Sequence, residues 1–204
     1  MKATAIGKLV SHLSGTAKGA CMEIYAPSLR SLPEGSKLVM ATLPVIDWND
    51  CLSRDLRSLH KEASADVYAG LVMIDPFSCW EDLADLLKAA GITGVINFPP
   101  ASLIDRSTAG RPVDTGQELE LRRMEWFASL GFKTLFTAGD DSQITAAERR
   151  LGSHLFGIIH LPEEALNHAI GDEMELVSFK DQASSLPKYT LLEGTGSKPQ
   201  GRKT

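Results

Sequence analysis

The sequence has little cysteine, no long apolar run and no excess of basic charge, and each shortage removes a class of protein. Its three cysteines, Cys21, Cys51 and Cys79, stand far apart in 204 residues. Their number is odd and their spacing fits neither a metal site nor a disulfide framework, so reduced, buried thiols in a cytoplasmic protein are expected. No apolar run approaches the roughly 18–20 residues that a membrane span needs. The N-terminal stretch "MKATAIGKLVSHLSG" breaks its apolar pattern early, unlike the continuous segment of a secretory signal. With 21 basic and 26 acidic residues the net charge is −5, which gives no electrostatic case for nucleic acid or an anionic membrane as partner. Walker A, GxGxxG, HExxH, GxSxG and CxxC motifs are all missing, and so is any internal repeat. Motif mechanics therefore name no chemistry.

What is present is ordinary globular material. The chain is 43% hydrophobic and 23% charged, and its length suits one domain with a sizeable core. Short β-branched runs recur between longer helical patterns. The expected strands are 20–25, 37–43, 67–74, 93–98, 133–138, 156–161 and 174–179, with a weaker one at 189–193. Helical spacing marks 48–63, 79–91, 115–131, 142–152 and 162–171. Ser78 and Gly91 are natural caps for the second of these, Gly131 and Gly152 end the next two, and Pro162 opens the last.

The middle of the chain thus alternates strand and helix with short connections, the pattern of a parallel sheet with helical crossovers. An open doubly wound sheet and a closed (β/α)8 barrel both fit. A full barrel typically uses about 250 residues, so a barrel here would be trimmed, and "APSLRSLPEGS" offers no clear helix between the first two strands. One domain over 1–187 is expected, followed over 188–204 by the weak last strand and a flexible tail, "GTGSKPQGRKT".

In both parallel architectures ligands bind at the C-terminal ends of the strands. Polar residues at expected strand ends are therefore the candidates: Asp75 before Pro76, Asn97, the pair Asp140 and Asp141, and His160. Each has a structural alternative. Asp75 can begin a turn or help cap the helix at 79, Asn97 can satisfy loop backbone, Asp140 and Asp141 can favour a helix N-terminus, and His160 can be a core-edge histidine. His154 and His168 are expected in solvent. The irregular loop "DRSTAGRPVDTG" suits a ligand-gripping role. Arg106 or Arg111 could hold a carboxylate or phosphate, and Thr115 and Gly116 open a helix whose first amides could face an anion.

An ordered series of segments resembles a known family. "AGLVMIDPF" looks like its strand ending in Asp-Pro-Phe, and "LLKAAGITGVINFPPASLID" like its signature around Asn-Phe-Pro and Leu-Ile-Asp. "DTGQELELRRMEWFASLGFKTLFTAGD" and "ITAAERRLGSHLFGIIHL" continue the series. Residues 69–161 thereby resemble the phosphoenolpyruvate hydrolase-like family of TIM-barrel enzymes, which also supplies the C-terminal domain of a plant tomato-mosaic-virus resistance protein. The resemblance implies an α/β fold, a (β/α)8 TIM-barrel-like domain trimmed or irregular near its N-terminus. It implies a site built from Asp75, Asn97, Asp105, Thr115, Gly116 and His160, and a small carboxylated or phosphorylated substrate. The chain departs from the family in lacking a glycine-rich extension after Thr115-Gly116 and in carrying Ser102 where the family has glycine.

The expected function is therefore a hydrolase or lyase acting on a small anionic metabolite. Asp75 and His160 would be its acid and base, and Asn97, Asp105, Arg106, Arg111, Thr115 and Gly116 would bind substrate. A homo-oligomer is expected. A divalent metal held by Asp75 with another acidic residue is a further reading. The alternative, motivated by the missing glycines, is a non-catalytic barrel serving as a binding or protein-interaction module.

Overall fold

A computed structural model describes residues 5–13, 22–43, 45–59, 66–107, 114–171, 173–178 and 186–192. In chain order the elements are β1 (Ala5–Val10), β2 (Met22–Tyr25), α1 (Trp48–Ser58), β3 (Val67–Leu71), α2 (Trp80–Ala89), β4 (Gly94–Asn97), α3 (Ala101–Ser107), α4 (Asp114–Ser129), β5 (Lys133–Ala138), α5 (Asp141–Leu151), β6 (Leu155–His160), β7 (Glu173–Ser178) and β8 (Lys188–Leu191), with 3₁₀ helices at Pro27–Ser31, Leu38–Thr42, Gly152–His154 and Glu163–Asn167. The eight strands close into a barrel in the order β1-β2-β3-β4-β5-β6-β8-β7.

The barrel is mixed, and this overturns the expected (β/α)8 TIM-barrel-like fold. Pairing from β1 to β6, and from β6 to β8, is parallel. β7 runs antiparallel to both β1 and β8. The reason lies in the connections. Parallel neighbours need a long crossover, usually a helix. α1, α2, α3 with α4, and α5 supply crossovers between β2 and β6. After β6 the chain offers only the short 3₁₀ helix Glu163–Asn167, so β7 re-enters from the end where β6 leaves. β8 then slots between β6 and β7 and completes the closure.

Three local expectations also change. The run 37–43 is a 3₁₀ helix, because its buried residues Leu38, Ala41 and Thr42 recur at three and four rather than at two. The run 162–171 holds one 3₁₀ helix and then an isolated bridge from Ala169 to Lys37. β1 is a strand that its sequence disguises. Gly7 interrupts the apolar pattern because a Cβ there would lie 2.9 Å from the Met22 carbonyl oxygen of β2.

Strand alternation sorts the apolar residues into two cores. Leu9, Ile24, Ile96, Leu135, Ile159 and Leu176 fill the barrel interior. Their sequence neighbours, such as Val95, Phe136 and Ile158, pack outward beneath Leu83, Leu87, Phe127 and Ala147 of the helices. Gly91 and Gly131 end α2 and α4 with positive φ, which glycine adopts freely. The thiols depart from the expected burial: Cys51 is half-buried and Cys79 exposed. Cys21 and the tail 194–204 lie outside the described residues. No helix among the described residues is long and apolar enough to cross a membrane.

Candidate functional site

Side-chain amides finish the strands at the C-terminal end of the barrel. Asn49, in the first turn of α1 and 2% exposed, donates from Nδ2 to the Val72 carbonyl at 3.0 Å and accepts from the Val72 N–H at 3.0 Å. The side chain thereby continues the ladder one residue past β3. The same Nδ2 reaches Asp75 Oδ2 at 3.2 Å and Ser78 Oγ at 2.8 Å. Asp75 also accepts the Phe77 N–H at 2.9 Å and the Ser78 hydroxyl. It therefore closes an Asx turn over Pro76. Ser78, expected to cap α2, is turned back onto Asp75, and Cys79 takes the N-cap place without a side-chain bond.

Asn97 does for β4 what Asn49 does for β3. It is fully buried. Its Nδ2 donates to the Thr137 carbonyl at 3.0 Å and its Oδ1 accepts the Thr137 N–H at 2.6 Å. Backbone pairing between β4 and β5 ends at Ile96 and Leu135, so the amide takes over where the ladder stops. Beyond β5, Gln143 Oε1 accepts the Gly139 N–H at 2.8 Å. Asp140 caps α5 by accepting from the Ser142 and Gln143 amides at 3.0 Å each.

These bonds decide where the candidates point. Ile96 and Phe98 enter the interior core, and Asn97 between them shares the outward parity of Val95. Ile159 and Leu161 likewise face inward, which puts the half-buried His160 on the outer side of β6. Asp105 and Arg106 lie within α3 and Thr115 in the first turn of α4, but their side chains are outside the described residues, as is all of Arg111. Gly116 is half-buried in α4. Part of the expected irregular loop is thus helix. His154 is exposed as expected and His168 half-buried.

At the C-terminal end of the barrel, where a parallel barrel would bind its ligand, apolar side chains extend the interior core. Trp48, Phe98, Leu103, Leu161 and Ala165 belong to the interior core, with the Trp48 and Phe98 rings edge to face at 5.9 Å. Two clefts lie on either flank of the loop after β3. An apolar cleft of about 430 Å³ runs between residues 41–43 and 45–48 and the loop 72–77, with Ile104 also in its wall. A polar cleft of about 210 Å³ lies between α1 and the start of α2, with Asp47, Asp50, Asp75, Asp82 and Arg57 in its wall. Asp47, Asp75 and Phe77 belong to both. Asp75 is in both walls; neither contains the fully buried Asn97 or the half-buried His160. Phe77 is 92% exposed and Val45 59%. Among the described residues no three His, Cys, Asp or Glu side chains are grouped to hold a metal ion. Asn49 is the contributor that sequence reasoning missed. Its only signal is a position two residues after the cap Asp47.

No family model matches the chain. A protein of Sinorhizobium fredii (strain NBRC 101917 / NGR234) called "Uncharacterized protein y4oT" is 30% identical to it over 114 residues. The match covers 55% of this chain and 58% of that protein, less than two thirds of the relative's length.

Proposed function

We propose that this chain is a non-catalytic binding module, a cytoplasmic barrel that presents a lateral cleft to a partner and turns nothing over. The observation that carries this reading is the employment of the strand-end polar groups. Both ends of the Asn97 amide are bound to Thr137 backbone, and Asp75 is held by Asn49, Ser78 and the Phe77 amide. A catalytic acid or base needs a proton or lone pair directed at a reacting atom. Here those directions are spent on the fold. The larger cleft suits an anionic metabolite poorly as well: Asp47 and Asp75 are in its wall and no described Lys, Arg or His is.

The test is an assay of the purified protein against small carboxylates and phosphates, phosphoenolpyruvate included, followed by NMR for substrate loss. No turnover above buffer is expected. Turnover that Asp75→Asn or His160→Ala abolishes would contradict the reading. It would favour the second one, a phosphoenolpyruvate hydrolase-like enzyme with Asp75 as base. What speaks for that second reading is that Asp75 borders both clefts.

A further inference from the structure

The two clefts differ in chemistry and meet at one aromatic ridge. On one side of Phe77 the wall is mainly apolar, with Val45, Ile46, Val72, Ile74 and Ile104 beside the shared Asp47 and Asp75. On the other it carries four aspartates, Asp47, Asp50, Asp75 and Asp82, against Arg57. Asp50 is paired with Arg54 at 2.8 Å, which leaves Asp47, Asp75 and Asp82 against Arg57, an excess of negative charge. Phe77, the ridge, is 92% exposed, a large apolar side chain left in water beside an apolar cleft.

We propose that this pair of clefts docks an extended segment of a partner polypeptide that carries an apolar side chain with a lysine or arginine one or two positions away. The proposal rests on the binding-module reading and supplies its ligand. The apolar side chain enters the larger cleft, the cation faces the aspartates, and the backbone between them lies across Phe77. Charge complementarity of this kind sets specificity and register, and buried aromatic anchors carry much of the affinity of such contacts. A small molecule in either cleft would leave the outer face of Phe77 in water, whereas a chain crossing the ridge covers it. A second copy of this protein is disfavoured. A two-fold contact sets the same patch against itself, and here it would bring aspartate against aspartate.

The experiment is selection of random short peptides displayed on phage against the full chain, with counter-selection on Phe77→Ser. The selected peptide is then synthesised and titrated against wild type, Phe77→Ser and Asp82→Asn. Both altered residues are exposed, and unchanged thermal unfolding confirms that the variants fold. Enrichment of an apolar residue beside Lys or Arg is expected, with binding about tenfold weaker in Phe77→Ser, weaker also in Asp82→Asn, and weaker in wild type as salt rises. Enrichment of acidic peptides, or none above Phe77→Ser, overturns the docking proposal while the binding-module reading stands. A concentration-dependent dimer that Phe77→Ser disperses overturns it too, by naming a second copy as the occupant. Turnover lost in Asp75→Asn instead overturns the reading beneath it.

Discussion

Asn97 has no solvent to fall back on, and neither does Thr137, whose N–H and C=O it satisfies; both residues are fully buried. Asn97→Ala leaves two buried backbone groups without partners, at about 1–3 kcal/mol each. A loss on the order of 2–4 kcal/mol in urea unfolding is expected, and a midpoint equal to wild type would show that the amide does not bridge the strands. Asn97→Asp keeps the acceptor for the N–H but sets a second oxygen against the Thr137 carbonyl, so it should rescue little. At this scale the sequence was a partial guide to which residues sit at strand ends: Asn97 and His160 close β4 and β6, and Asp140 follows β5 closely, but β3 stops at Leu71 rather than at 74 and leaves Asp75 in the loop beyond it. It was a poor guide to direction. Whether an asparagine at a strand end faces a ligand or its neighbour's backbone depends on pleat parity and on how far the adjacent ladder runs. Neither is written in the residue itself.

At the scale of elements, the lower barrel is a fit between tyrosines and glycines on facing strands. A Cβ on Gly94 of β4 would stand 2.3 Å from the Tyr68 ring of β3, and one on Gly157 of β6 would stand 3.0 Å from the Tyr189 ring of β8. Tyr68 is 5% exposed. Burial first, and then the charges of Asp66 and Tyr189, push its phenol up to about 12 from the usual 10. The folded state therefore keeps a proton that the unfolded chain gives up near pH 10. Stability from this group is intact below about pH 10 and is lost as pH rises toward 12. The loss is on the order of 2 kcal/mol. Urea midpoints of wild type should fall across that window, and Tyr68→Phe should flatten the fall. Parallel curves for the two proteins would contradict the burial of the hydroxyl. Elements were partly legible. The strands from β3 to β6 read as short apolar runs because both of their faces are largely buried, and the helices α1, α2, α4 and α5 follow helical spacing because each has one face in a core. The run 37–43 misled because β-branched and apolar residues in a row read as a strand, while burial selects Leu38, Ala41 and Thr42.

For the whole molecule, the alternation of strand and helix was legible and the closure was not. A strand's direction is set by its connection, and the segment from Leu161 to Gly171 has too little helix to return the chain to the starting end. The antiparallel β7 follows from that shortage, and with it the departure from a (β/α)8 barrel. The binding surface proposed above is lateral. Trp48, Phe98 and Leu103 extend the interior core past the strands, and two clefts lie beside the loop after β3. The most direct measurement of this account is an amide NMR titration of the full chain with the phage-selected peptide. Shifts concentrated in 41–50 and 72–82, the two walls and their ridge, are expected, with β6 and β8 undisturbed. Shifts centred on His160 and the barrel mouth would contradict it.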